Sequence, residues 1–122
     1  MFTVSVMERF AAAHRLEGLD EGLHGHTYAV WVSIAQPKLD SVGIAYDFRS
    51  LKQTLHTIVS KLDHQYLNEL NFFSGKNPTA ENIAVYIYEA MKRALPEPAV
   101  QSVEVAESDT AKVKYEKNGS ES

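Results

Sequence analysis

The sequence predicts an α+β fold with the order strand–strand–helix–helix–strand–strand. Three observations carry it. Two long runs of β-branched and aromatic residues open the chain. Two amphipathic stretches with helical spacing occupy the middle. Two short alternating runs close it.

In residues 2–13, "FTVSVMERFAAA", Phe2, Val4, Val6, Glu8 and Phe10 recur at period two, which reads as a strand with one acid on its apolar side. Residues 16–23, "LEGLDEGL", hold two glycines and three acids and read as a loop. Residues 26–35, "HTYAVWVSIA", read as a second strand, antiparallel to the first across a loop longer than a tight turn. "QPKLDSVGIAY" is a connector. Asp47 then caps a helix running through "FRSLKQTLHTIVSKLD", with Phe48, Leu51, Leu55, Val59 and Leu62 as its apolar stripe. "HQYLNELNFFSGKNP" reads as irregular, broken by Gly75 and Pro78. Thr79 caps a second helix whose Ile83, Ile87, Ala90 and Ala94 share a face, and "LPEPA" ends it. "VQSVEVAES" and "TAKVKYE" form a hairpin around "SDT". Residues 1–122 read as one domain, with a frayed tail from about residue 116.

Composition narrows the function classes. At 122 residues the chain can bury a real core. A net charge of −4 argues against a sequence-independent grip on nucleic acid or anionic membrane, yet leaves room for a local basic pocket. The chain has no cysteine, which removes disulfides, thiolate metal sites and a cysteine nucleophile together. No apolar run approaches the roughly 20 residues that span a bilayer, and the N-terminus lacks a signal-peptide core. The expectation is a cytoplasmic protein.

The chemistry concentrates in histidine. His24 and His26 flank Gly25, and on a strand that spacing sends both rings to one face. Gly25 carries no Cβ and lets another group approach the opposite face. His14 ends the preceding strand and can face the pair. Three neutral nitrogens without a thiolate suit Zn²⁺ with an open fourth position. The plain alternative is polar histidine on a strand surface. His56 lies off the apolar stripe and reads as solvated. His64 follows Asp63, where it either complements the helix dipole or forms an Asp–His proton shuttle.

"FAAAHRL", "LHGHTY", "LDHQYLN" and "NPTAENIAVYIYEAM", in that order, resemble the 6-pyruvoyltetrahydropterin synthase and 6-carboxytetrahydropterin synthase family, from Phe2 to about Tyr115. The resemblance implies the tunnelling fold: a ββααββ subunit with an antiparallel sheet and two helices on one face. Such subunits close into barrels by oligomerisation, as a homo-hexamer of two stacked trimers. It implies His14, His24 and His26 as zinc ligands, Asp63 and His64 as the proton-transfer pair, and Glu107 as the anchor of a pterin ring. A carboxylate suits that anchor because it accepts two hydrogen bonds; the plain alternative is an exposed strand acid. Thr79 and Glu81 match residues near the pterin pocket, and equally read as cap and first-turn acid.

One departure matters. The pyruvoyl and carboxy enzymes of that family place a cysteine shortly before HGH. Here the region reads "LDEGLHGH". Glu21, with Asp20 as rival, resembles a subgroup in which glutamate replaces the cysteine and the enzyme acts as an aldolase. The resemblance then implies a zinc lyase that cleaves 7,8-dihydroneopterin triphosphate to 6-hydroxymethyl-7,8-dihydropterin. The alternatives are 6-carboxytetrahydropterin or 6-pyruvoyltetrahydropterin synthesis, or a non-catalytic pterin binder. The loop acids can also be read as merely solvated. Arg15 and Lys76 are candidate phosphate-binding cations, unranked by sequence.

Overall fold

The computed structural model describes residues 1–19 and 22–117. Two long strands, β1 (Phe2–His14) and β2 (His24–Gln36), pair antiparallel along their full length. Helix α1 (Phe48–Val59) and helix α2 (Ala80–Ala94) follow, then the hairpin β4 (Val100–Ser108) and β5 (Ala111–Tyr115). A two-residue strand, β3 (Gln65–Tyr66), lies between the helices and pairs parallel with Ala12 and Ala13. The sheet order is β3-β1-β2-β4-β5.

The period-two pattern decides which face is covered. Val4, Val6 and Phe10 of β1, and Tyr28, Val30, Val32 and Ile34 of β2, are buried together under both helices. The opposite face carries Arg9 and Trp31, both exposed. Glu8, the acid on the apolar side, sits at the α1 edge. Its Oε1 lies 2.9 Å from His56 Nδ1 and its Oε2 3.7 Å from Lys52 Nζ. His56 is therefore not simply solvated; it belongs to this surface cluster.

Both predicted caps form. Asp47 Oδ1 accepts from the Arg49 N–H at 2.8 Å, and Thr79 Oγ1 accepts from the Asn82 N–H at 3.1 Å. Each satisfies a donor that the first helical turn leaves open. Leu51, Leu55, Val59 and Leu62 are buried as the spacing predicts, but Phe48 is 64% exposed. It is the first helical residue, and Ile58 joins the buried face instead. In α2 the buried face is Ala80, Ile83, Ala84, Ile87, Tyr88 and Met91, whereas Ala94 is exposed. The face is centred one position away from the expected stripe, because Tyr88 and Met91 fill it.

The stretch expected to be irregular has more order than its glycine and proline suggest. After β3 it makes two single 3₁₀ turns, Leu67–Glu69 and Asn71–Phe73, which bury Leu67 and Phe73. Gly75 has φ of 76°, a conformation that favours glycine, and turns the chain toward α2. Of the expected frayed tail, residues 118–122 lie outside the described residues. Among the described residues, no helix is long and apolar enough to cross a membrane.

Candidate metal centre

Strand register brings the three histidines together. His14 pairs directly with His24 across β1 and β2, and Ala12 pairs with His26. The two strands end here, and their core-facing side chains change from aliphatic to imidazole. The rings stand edge to face around one point, with centroids 4.6, 5.1 and 4.8 Å apart. One nitrogen from each ring lies within 4.8 Å of the other two.

Two backbone carbonyls orient the rings. His14 Nδ1 lies 2.8 Å from the Pro78 oxygen, and His24 Nδ1 lies 2.8 Å from the Gly22 oxygen. A carbonyl only accepts, so both Nδ1 atoms carry the proton. The two Nε2 atoms then face each other 3.0 Å apart. Facing lone pairs repel unless a cation lies between them. That separation is close to the roughly 3.3 Å edge of a tetrahedron with zinc–nitrogen arms of about 2.0–2.1 Å. The donor set therefore fits a metal, and the carbonyls hold the tautomer that a metal requires.

Tyr28 escaped the sequence reading. It is fully buried, stacks on Phe10 at 4.8 Å and places its hydroxyl 3.3 Å from His14 Nδ1. Burial, and secondarily the charge of Glu107, push its phenol well above the ordinary range, so it stays protonated. Its signal was present, because Tyr28 follows His24 and His26 at period two on the same face. Pro78 could not be found from sequence, since its backbone oxygen makes the contact.

Asp63 and His64 lie at the edge of β1, four and five residues beyond the end of α1. The helix-dipole reading of His64 does not hold; His56 occupies the last turn. Asp63 Oδ1 accepts the Ala11 N–H at 2.9 Å, while the His64 N–H donates to the Ala11 carbonyl at 2.6 Å. Together they continue the pairing of β3 by one residue. His64 takes a φ of 60°, unusual for a side-chain-bearing residue, within this clasp. Its Nδ1 lies 3.0 Å from Asp63 Oδ2, so the pair meets in space as well as in sequence. The Ala11 hydrogen bond is the largest influence and holds the Asp63 carboxyl below its ordinary range; desolvation, next in size, opposes it, and the charge and hydrogen bonds of His64 add to the lowering. His64 and His26 line one open cleft of about 560 Å³, with Gly25 in its wall. A Cβ at Gly25 would meet the Ala12 carbonyl oxygen at 3.4 Å.

Glu107, on β4, approaches the cluster: its Oε2 is 3.8 Å from His26 Nε2. It lines a small cavity of about 170 Å³ with Glu81 of the first α2 turn. Thr79 caps α2. Asp20 and Glu21 lie outside the described residues.

Fold and cluster together define a tunnelling-fold protein with a three-histidine centre. The chain belongs to the 6-pyruvoyl tetrahydropterin synthase family, whose sequence profile matches residues 3–118. It is 37% identical over 114 residues to a 6-carboxy-5,6,7,8-tetrahydropterin synthase of Synechocystis, covering 87% of this chain and 86% of that one. It is 38% identical over 89 residues to a dihydroneopterin monophosphate aldolase of Pyrococcus furiosus, covering 71% and 72%. The solved 6-pyruvoyl tetrahydropterin synthase of Caenorhabditis elegans superposes with a TM-score of 0.84 at 25% identity, covering 96% of each chain.

Proposed function

We propose that the protein is a zinc-dependent pterin aldolase. It cleaves 7,8-dihydroneopterin triphosphate between C1′ and C2′ and releases 6-hydroxymethyl-7,8-dihydropterin. The observation that carries this reading is the absence of any cysteine from a chain that keeps three convergent histidines and an acid, Glu21, three residues before HGH. The likeness to the Pyrococcus aldolase supports it. The monophosphate in that relative's name makes dihydroneopterin monophosphate the first comparison substrate.

His14, His24 and His26 hold the zinc, which supplies Lewis acidity toward the substrate's side-chain hydroxyls. Glu21 takes the 2′-hydroxyl proton, with Asp20 as its rival. C2′ becomes the aldehyde of the departing fragment as the C1′–C2′ pair moves into the dihydropterin C=N. His64, oriented by Asp63, returns a proton to C1′. Glu107 accepts from the pterin amino and N–H edge, with Thr79 and Glu81 beside the pocket. A carboxylate with a pKa of ordinary size, about 4.3, is a poor base for carbon but an adequate one for a polarised hydroxyl. The uncovered sheet face, carrying Arg9 and Trp31, is the surface through which chains close into barrels and a hexamer.

A second reading rests on the Synechocystis relative: formation of 6-carboxytetrahydropterin by a route that bypasses the missing cysteine. Product analysis decides between them. Zinc-loaded protein is incubated with dihydroneopterin triphosphate and, separately, the monophosphate. Hydroxymethyldihydropterin is the expected product. A carboxy- or pyruvoyl-tetrahydropterin would overturn the aldolase reading, and pterin binding without turnover would make the protein a binder.

A further inference from the structure

Strand β4 carries a β-bulge at Glu107. Ala106 pairs with Lys112 of β5, yet Ser108 pairs with Ala111, so Glu107 is the extra residue between two paired positions. A bulge bends its strand and re-aims the side chain it carries. The β2–β4 ladder also stops at Ala29 and Ala106, which leaves Glu107 at the next position, beside Tyr28. Val103 and Val105, earlier on the same strand, are fully buried core. Glu107 is where that face changes from aliphatic to charged.

We propose that Glu107 is an exchangeable fourth ligand of the metal centre. Its carboxylate closes the coordination of the ion while the adjoining cavity is empty, and leaves the ion when a pterin ring takes it. The first half is independent of the pterin reading; the second half rests on it.

Two observations place the carboxylate in reach. Glu107 Oε2 lies 3.8 Å from His26 Nε2, too long for a hydrogen bond. A histidine that binds a metal is neutral, so ion pairing with His26 does not explain the approach either. An ion on that nitrogen, at the usual zinc–nitrogen distance of about 2.0–2.1 Å, lies within about 6 Å of Oε2 in whatever direction it sits. At that range a dication attracts a carboxylate. The second observation is Tyr28. The charge of Glu107 acts on its phenol, second to burial, and the phenol stands 3.3 Å from His14 Nδ1. Glu107 thus faces two of the three ligand rings, His26 directly and His14 across Tyr28.

A turn of the side chain completes the contact. The three ring nitrogens lie within 4.8 Å of one another, and Oε2 stands outside that set. The Glu107 side chain is 30% exposed and borders the cavity of about 170 Å³, so it has room to turn. Glutamate oxygen binds zinc at about 2.0–2.2 Å, and three histidines with one carboxylate make a closed tetrahedral set. The same carboxylate can instead accept from the amino and N–H edge of a ring. One side chain cannot do both at once, so ion and ring compete for it. By linkage, each weakens the other's hold through Glu107 by the same factor. The position that a substrate hydroxyl needs on the ion is then vacated by the docking of the substrate's own ring.

The test loads the full chain with Co²⁺, whose visible absorption reports the ligands around it. Without pterin, E107A and E107Q should each shift the wild-type band. Their zinc affinity, in competition with a chromogenic chelator, should fall at least about 10-fold, the scale seen even for groups one step removed from a metal. E104Q is the charge control: Glu104 pairs with Lys112 at 2.9 Å, opposite Trp31 on the uncovered face, and the variant should match wild type in both measurements. Wild-type spectra and affinities in both Glu107 variants would overturn the proposal, and so would an equal change in E104Q. A second arm adds 7,8-dihydropterin, a ring without side-chain hydroxyls to reach the ion, with binding followed by calorimetry. It should move the wild-type Co²⁺ band toward that of E107A and loosen zinc at least about fivefold. A bound ring that leaves the band untouched would overturn the exchange. Failure of the ring to bind would reject the pterin reading, and the first arm would still decide whether Glu107 holds the metal.

Discussion

His14 and His24 stand opposite each other on β1 and β2, with their Nε2 atoms 3.0 Å apart and each Nδ1 on a backbone carbonyl. Each ring is held in the tautomer that offers Nε2 to a cation. The first prediction follows directly. Wild type should bind one zinc per chain by elemental analysis, and H14A or H24A should lose it. Zinc should also raise the thermal midpoint of wild type, because a ligand bound by the folded chain alone stabilises it. Protons compete for imidazole below its ordinary pKa of about 6.5, so dialysis near pH 5 should strip the metal. A full metal complement after that dialysis would count against three-histidine coordination.

Tyr28 supports the His14 ring from behind. Y28F removes a buried hydroxyl that shares the Nδ1–H with Pro78. The fold should survive with a loss of about 1 kcal/mol by chemical denaturation. Zinc affinity should fall by roughly 10-fold, the lower end for a partner that orients a metal ligand. Unchanged affinity in competition with a chromogenic chelator would mean that Pro78 orients the ring alone.

Glu21 is the proposed base. E21Q should keep its zinc while the rate of hydroxymethyldihydropterin formation falls by about 100-fold or more, the scale of general-base catalysis. If E21Q retains full rate and D20N does not, the role passes to Asp20.

Asp63 supplies a pH dependence with a defined sign. Its folded pKa is depressed, first by the Ala11 N–H and then by His64. Its contribution to stability is therefore present above the unfolded carboxyl value of about 3.9 and is lost as pH falls through the lower folded value. Wild type should lose stability over that acidic window, and D63N should show a smaller fall across it. Parallel acid-denaturation curves for the two proteins would refute the clasp as the source.

The α1 packing separates two residues that the sequence put in one stripe. L51A, at a fully buried site, should cost about 2–5 kcal/mol. F48A, at an exposed one, should change stability by no more than about 0.5 kcal/mol in isolated chains. A large loss on F48A only in an assembled protein would place Phe48 at a subunit contact.

Much of this was legible in residue order. Alternation at period two set both long strands and sent His24 and His26 to one face, because a strand has only two faces. Asp47 and Thr79 marked the helix starts, because first-turn N–H groups need local acceptors. The absent cysteine narrowed the chemistry without any coordinates. The chain could not declare that His14 stands opposite His24 rather than beside it, since register depends on the whole ladder. The clasp of Asp63 and His64 on Ala11, the Pro78 carbonyl behind His14 and the amides of Asn68 and Asn77 on residues 15 and 17 span 52 to 64 positions. Contacts of that separation leave no periodic trace. Local pattern thus determined the elements and the residue types of the centre. Only the folded chain decided which backbone groups hold those residues, because such partners are chosen by proximity and not by sequence neighbourhood.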